Sequence, residues 1–309
     1  KAPGYRPWSL PLRQGIRTRL RAMQVLSSLV AGGSVDLGGL DADPLDFLAL
    51  PGLRDYLERR DTLARRHACD NAITDYLIST SRPLEVQAWC AACRRSSRFA
   101  LTEPERFAAF CAAPNWRETL ACRGCGLINR LRASLEMFRT QMSCGPGGAI
   151  YLTERVTPLF TWLERNYPEV RGSEFFGADR RPGELCRIGD MTIAHEDVTR
   201  LSMDDGSIAH LLSFDVLEHV PDYQAAVAEF HRVLKPAGTL LLSVPFDLNS
   251  AFTLRRASIK PDGSIEHHEP PEYHGDPLNS GAGVLCYYHF GWDLLEHIRA
   301  IGFSEVRLR

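Results

Sequence analysis

Four of the nine cysteines fall into two C-x2-C pairs, Cys90-Ala-Ala-Cys93 and Cys122-Arg-Gly-Cys125. Each pair lets two thiolates converge from one tight turn, with Gly124 and Gly126 supplying permissive backbone, and two such turns complete a tetrahedral four-sulfur site for Zn2+. A closed four-thiolate set leaves no position for water or substrate, so the role expected of it is structural. The 28 residues between the pairs exceed the usual spacing, which calls for a zinc-ribbon-like module with a long internal excursion; Glu103 to Ala113, with Phe107 and Phe110 at helical spacing, reads as a helix within it. Cys69, Cys111, Cys144, Cys186 and Cys286 have no partner at metal spacing and read as buried thiols. A module without metal is the alternative.

A second constellation is Glu266-His267-His268-Glu269-Pro270-Pro271-Glu272-Tyr273-His274-Gly275-Asp276-Pro277. His274 and Asp276 have the types of a general base and its orienting acid, Tyr273 could donate a hydroxyl, and Tyr287, Tyr288 and His289 could supply walls. The same His and acid residues suit a divalent cation, and a solvated, proline-stiffened loop is the plain alternative.

These side chains need a scaffold. Val216-Leu-Glu-His-Val-Pro-Asp222, followed by Arg232-Val-Leu-Lys-Pro-Ala-Gly-Thr-Leu-Leu-Leu-Ser-Val-Pro245, reads as a strand end, a loop, an amphipathic helix, a tight turn and a buried strand. That is one repeat of a doubly wound α/β sheet. Upstream, Ala149 to Glu154 reads as a first strand, Thr157 to Tyr167 as a helix and Glu169 to Phe176 as a second strand. A third strand ends at Glu196-Asp197, and Ile208 to Ser213 and Thr239 to Val244 read as the fourth and fifth. Trp292 to Ile301 and Ser304 to Leu308 read as a last helix and a sixth strand. Residues 1–80 read as mostly helical, with helices over Gln14 to Ala31, opening at Pro44 to Ala49, and over Leu53 to Ser79. Arg130 to Met142 reads as a helix leading to the Cys144-Gly-Pro-Gly-Gly148 turn.

On the residues 216 to 245, and more weakly over 149 to 308, the chain resembles the class I S-adenosylmethionine-dependent methyltransferases, in particular the small-molecule, type 11-like branch. The resemblance implies a Rossmann-like doubly wound sheet over 146–309, preceded by the helical region 1–80 and the zinc module with its linking helix, 81–145. It implies S-adenosylmethionine lying over the carboxyl ends of the strands. Glu174 then stands where an acid accepts from both ribose hydroxyls, Asp197 where one accepts from the adenine amino group, and Val198 where a side chain packs the ring. Ser213 and Glu218 fall at the cofactor side of the fourth strand, and His219 matches the Glu-His pair of many relatives, as base, cofactor neighbour or metal contact. One departure is plain: where relatives carry a glycine-rich turn after the first strand, this chain reads Leu152-Thr153-Glu154-Arg155-Val156-Thr157-Pro158. Either Thr153 and Glu154 themselves meet the cofactor or binding is impaired there.

The implied activity is methyl transfer to a small-molecule acceptor, most simply O-methylation of a sugar, glycolipid or secondary metabolite. Two other readings stand beside it. Residues 1–139 hold 21 Lys and Arg against 14 Asp and Glu, whereas 140–309 hold 15 against 24. A basic first half behind a cysteine module would suit an RNA methyltransferase, but the chain lacks the Asn/Asp-Pro-Pro-aromatic motif of many base-amino enzymes. The missing glycines keep alive a non-catalytic, methyltransferase-like binding protein. No run of 18 apolar residues and no signal-peptide pattern occurs, so a cytoplasmic protein without a membrane span is expected, with dimerisation through the N-terminal helices an option. The chain starts without Met and ends in strand-like residues, so continuation past either end is also expected.

Overall fold

The computed structural model describes residues 35–36, 48–64, 85–100, 117–141, 148–275, 278, 281 and 283–309. The chain divides into two compact units, Lys1–Asp46 with Glu58–Glu136, and Phe47–Leu57 with Met137–Arg309. No helix among the described residues is long and apolar enough to cross a membrane.

In the first unit, strands β1 (Val35–Asp36), β2 (Glu85–Cys90), β3 (Arg95–Ala100) and β4 (Ala121–Cys122) pair in that order. β1, in the region read as helical, lies parallel to β2, while β2–β3 and β3–β4 are antiparallel. The β2–β3 hairpin exists because Cys90-Ala-Ala-Cys93 is its turn: Cys90 pairs with Arg95, and the Arg94 N–H closes onto the Cys90 carbonyl at 2.7 Å. Helix α1 covers residues 53–64, the start of the helix expected over Leu53 to Ser79, and α2 (Asn129–Gln141) fills the linking helix. The helices expected over Gln14 to Ala31 and Glu103 to Ala113 fall outside the described residues.

In the second unit the expected α/β sheet is present. β5 (Ile150–Leu152), β6 (Val170–Glu174), β7 (Leu185–Ile188), β8 (Met191–His195), β9 (Ile208–Phe214) and β10 (Leu234–Ser243) form six strands in the order β10-β9-β5-β6-β8-β7. All pairings are parallel except β7 with β8. β5 pairs with both β6 and β9, so the chain winds outward one way through β6 and β8 and the other way through β9 and β10. The loops after β5 and β9 therefore diverge and open the crevice in which such sheets hold ligands.

Helix α3 (Pro158–Asn166) starts where Thr157 Oγ1 accepts from the Phe160 N–H and Pro158 presets the first turn. It buries Leu159, Phe160 and Leu163. Helix α4 (Tyr223–Val233) is capped by Asp222 and buries Ala226, Val227, Phe230 and Val233 against Tyr151 and Leu211. Helix α5 (Asp293–Ile301) buries Leu294, Leu295 and Ile298. Each of these apolar sets recurs at three or four residues, the one-face spacing that drives helix docking.

Two expectations need correction, and one strand was not expected. Residues 304–308 do not form a sixth strand of the sheet: Leu308 instead exchanges both backbone hydrogen bonds with Leu50. The same pairing holds Leu50 extended, and residues 48–50 do not continue a helix opened at Pro44. The edge strand β7 was not foreseen; the two-residue Gly189-Asp190 turn, with Gly189 at φ 55°, folds it back on β8. After β10 the chain makes a polar excursion of short ribbons, β11 (Leu254–Arg255), β12 (Ala257–Ile259), β13 (Ile265–His267), β14 (Tyr273–His274), β15 (Val284–Leu285) and β16 (Tyr288–His289).

Candidate functional site

The four cysteines of the two pairs come together. Cys90 and Cys125 Sγ lie 3.9 Å apart and Cys93 and Cys122 Sγ 3.8 Å, with all four within 4.8 Å of one another. A tetrahedron with zinc–sulfur bonds of about 2.3 Å has edges of roughly 3.8 Å, whereas a disulfide would need about 2.05 Å. The two turns repeat one geometry. Gly126 N–H bonds the Cys122 carbonyl as Arg94 N–H bonds that of Cys90, Arg94 and Gly126 are left-handed at φ 52° and 75°, and the Cys93 and Gly124 N–H groups point at the Cys90 and Cys122 sulfurs.

Those amides matter electrostatically. Burial pushes the Cys122 thiol up, but backbone N–H groups of Cys125 and Gly124 outweigh it and bring the thiol down to about 6, while burial takes Cys93 up to about 11. Arg132 on α2 supplies the balancing charge. It is buried, donates to the Leu120 and Leu127 carbonyls at 2.5 and 2.6 Å, and lies 4.4 Å from the Phe99 ring centroid; burial lowers its pKa, and the four cysteines offset part of that. Nothing in the spacing of the cysteines announced Arg132.

In the crevice, β5 delivers Thr153 and Glu154 and β9 delivers Ser213, and Thr153 Oγ1 donates to Ser213 Oγ at 3.2 Å. Glu174 ends β6, where Oε1 accepts from the Arg155 and Val156 N–H groups at 2.7 and 2.8 Å. The carboxylate thus holds the glycine-free first loop in place. The glycine sits elsewhere: a Cβ at Gly172, in β6, would overlap the Glu154 carbonyl and the Phe160 ring, so β6 rather than the loop provides the close approach. Asp197 Oδ1 accepts from Thr199 N–H and Oγ1 at 2.9 and 2.7 Å, and Val198 packs on the core. Phe175, directly after Glu174, is 55% exposed; the Phe176 N–H bonds buried His195 Nδ1 at 3.0 Å and fixes that segment. Sequence reasoning missed Phe175, although an aromatic after a candidate ribose acid was the available signal.

The third group forms at the turn after β9. Leu217–His219 is a single 3-10 turn with Glu218 fully buried. The 273–289 excursion docks on it: Tyr287 N–H bonds the Glu218 carbonyl at 2.7 Å, and His219 Nδ1 donates to the Leu285 carbonyl at 2.8 Å. β14 then places His274 beside both, its ring centroid 4.9 Å from that of His219 and its Nδ1 3.8 Å from Glu218 Oε1. Gly283, at φ 73°, makes this possible, because a Cβ there would overlap the His274 carbonyl. The acid on His274 is Glu272, at 2.9 Å, which also meets His289 at 3.1 Å and Arg256 at 3.2 Å. Asp276, expected in that role, lies outside the described residues. Tyr273 is exposed, on the opposite side of the short strand from His274. Tyr288 is buried, donating to the Pro221 carbonyl at 2.5 Å, and Cys286 is a buried thiol raised to about 11 by burial.

Residues 159–242, from α3 through most of β10, match the family described as a methyltransferase domain, Methyltransf_11. A "Probable S-adenosylmethionine-dependent methyltransferase" of Mycolicibacterium smegmatis is 35% identical over 60 residues, 19% of this chain and 23% of the relative. A demethylmenaquinone methyltransferase of Staphylococcus epidermidis is 34% identical over 58 residues, 19% of this chain and 24% of the relative. The matched stretch therefore spans about a quarter of the length of these curated relatives. Among solved structures, an S-adenosylmethionine-dependent methyltransferase of Mesorhizobium loti aligns over 56% of this chain and 81% of its own, at 19% identity and a TM-score of 0.35. The segment that supplies most of α3, β6, β8, β9 and the Glu218-His219 turn is thus the segment similar to a methyltransferase domain, while β5 and the loop after it lie just before the matched residues.

Proposed function

We propose that this chain binds S-adenosylmethionine and transfers its methyl group to a small-molecule acceptor, most simply at oxygen. The single observation that carries the reading is the methyltransferase-domain match over 159–242, laid on a sheet whose switch point opens between β5 and β9. The residues at that crevice suit the cofactor. Glu174 ends β6 and Asp197 follows β8, as acceptors for ribose and adenine donors, Phe175 offers an exposed aromatic face after Glu174, Thr153, Glu154 and Ser213 stand at the ends of β5 and β9, and Glu218 follows in the turn after β9. The cofactor supplies an activated methyl group; the protein's work is alignment and proton removal.

His219 and His274 stand at the carboxyl end of β9, where an acceptor hydroxyl would be deprotonated, with Glu272 orienting His274. The four cysteines are read as a structural Zn2+ site, supported by their sulfur spacing and the paired turns. Calorimetric titration of zinc-loaded protein with S-adenosylhomocysteine tests the cofactor site: micromolar one-to-one binding, weakened at least tenfold in Glu174→Ala, is expected. Absence of binding to folded protein would favour the non-catalytic reading.

A further inference from the structure

From the convergence of Glu218, His219 and His274 we infer that the turn after β9 is a binding site for a divalent first-row transition cation, separate from the cysteine cluster in ligand chemistry and in chain segment. The argument begins with the protons. A backbone carbonyl only accepts, so the 2.8 Å contact of His219 Nδ1 with the Leu285 oxygen puts the proton of the neutral ring on Nδ1 and leaves the lone pair on Nε2. Glu272 does the same to His274 from the other side: its carboxylate accepts the Nε2–H hydrogen bond at 2.9 Å, which keeps the proton on Nε2 and leaves the lone pair on Nδ1. These two lone-pair nitrogens face one carboxylate oxygen, Glu218 Oε1, at 4.0 Å from His219 Nε2 and 3.8 Å from His274 Nδ1.

Such separations are too long for hydrogen bonds. They are also slightly wider than the roughly 3.3 Å nitrogen–oxygen edge of a tetrahedron with bonds of about 2.0 Å. Side-chain rotation of about half an ångström closes the set. Two imidazoles and one carboxylate whose ligand atoms lie within 4.8 Å of one another suit iron, manganese, cobalt or zinc in the divalent state. The outer contacts are those of a metal centre as well, because Glu272 orients His274 and the Leu285 carbonyl orients His219. Glu218 is fully buried while the His274 side chain is 31% exposed, so the cation's remaining positions open toward solvent and take an oxygen donor. The neighbouring Glu272, Cys286 and His289 also lie within 4.8 Å of one another, but Glu272 is held by Arg256 and two histidines and the Cys286 thiol is raised to about 11, which disfavours the thiolate form.

This inference shares Glu218, His219 and His274 with the methyl-transfer reading, but it is read out without methyl transfer. Full-length protein is loaded with Zn2+ to fill the cysteine site, freed of excess metal, and titrated with Co2+ followed by visible spectroscopy. The expected result is one further equivalent with ligand-field bands of a nitrogen and oxygen site and no thiolate-to-cobalt charge transfer. Affinity should fall at least 100-fold in Glu218→Gln and in His274→Ala, and about 10- to 100-fold in Glu272→Gln, whose carboxylate is outside the ligand set and at the surface. Circular dichroism and retained zinc identify folded variants. No second equivalent in the parent, or an equivalent unaffected by His274→Ala and Glu272→Gln, overturns the site whatever S-adenosylhomocysteine does.

Discussion

The cysteine cluster and the Glu218-His219-His274 group are both sets of side chains that could hold a metal ion, yet they are built in opposite ways. In the first, each pair of ligands is fixed by one turn of four residues, the two turns share a closing backbone hydrogen bond and a left-handed position, and the Cys125 and Gly124 N–H groups favour the thiolate of Cys122. In the second, neighbouring Glu218 and His219 wait for a histidine 55 positions later, delivered by a ribbon that must first dock on the turn. Local construction makes a closed, soft, structural set. Long-range construction makes an open, mixed one that tertiary docking can assemble or disrupt.

The largest effect expected is at the first region. Cys122→Ser should abolish stoichiometric zinc and unfold the β2–β4 module, since structural zinc contributes on the order of 10 kcal/mol to such folds. Metal analysis and limited proteolysis check it; a zinc-free variant with unchanged proteolysis would show that the hairpins stand without the ion. Next comes Gly283→Ala, which forces both a left-handed alanine and a clash with the His274 carbonyl. It should cost about 2–3 kcal/mol in chemical denaturation and remove the second cobalt equivalent while leaving zinc bound. Gly124→Ala is its counterpart in the cysteine turn, where the new Cβ would sit 3.2 Å from Cys93 Sγ at an ordinary backbone angle. A cost below about 1 kcal/mol is expected there. Equal costs for the two alanines would erase the contrast between local and long-range assembly.

An effect of similar, small size concerns the scaffold beneath the Glu218 turn. Arg232 on α4 binds Glu229 at 2.8 Å, Asp205 at 2.6 Å and the Leu201 and Met203 carbonyls, tying the segment after β8 to the helix. The Arg232 guanidinium, with the Leu201 N–H, holds the Glu229 carboxyl below its usual range. A carboxyl depressed in the folded state contributes stability above its unfolded pKa and loses it as pH falls through the folded value. Parent protein should therefore lose about 1 kcal/mol more than Glu229→Gln between pH 7 and pH 3, measured by urea denaturation. Parallel losses in both proteins would mean that the ion pair adds nothing to the fold.

How much was legible in the sequence follows the same division. The C-x2-C turns, the α3 and α4 faces and the strand pattern of the sheet were readable because ligand spacing, apolar period and caps all act within a dozen residues. The strand assigned to 304–308 failed because Leu308 has its choice of partners, and Leu50, some 250 positions earlier, took both of its backbone groups. Glu174 was located correctly at the end of the second strand, but its grip on the Arg155 and Val156 amides was not visible, since that bond compensates for glycines missing 19 residues away. Glu272 was overlooked beside His274 because a carboxylate two residues off reveals nothing until the rotamer is known.

The sequence by itself determined that this chain carries a four-cysteine turn pair and a parallel α/β sheet with acids at its strand ends, because short-range spacing and side-chain period dictate those features. Only the tertiary structure decided that Gly172 admits the Glu154 carbonyl and the Phe160 ring against β6, that Arg132 is buried on the carbonyls of the second cysteine turn, and that Glu218, His219 and His274 come together. Those outcomes depend on backbone segments approaching one another in space, where a single carbonyl or a single Cβ settles which side chains can meet.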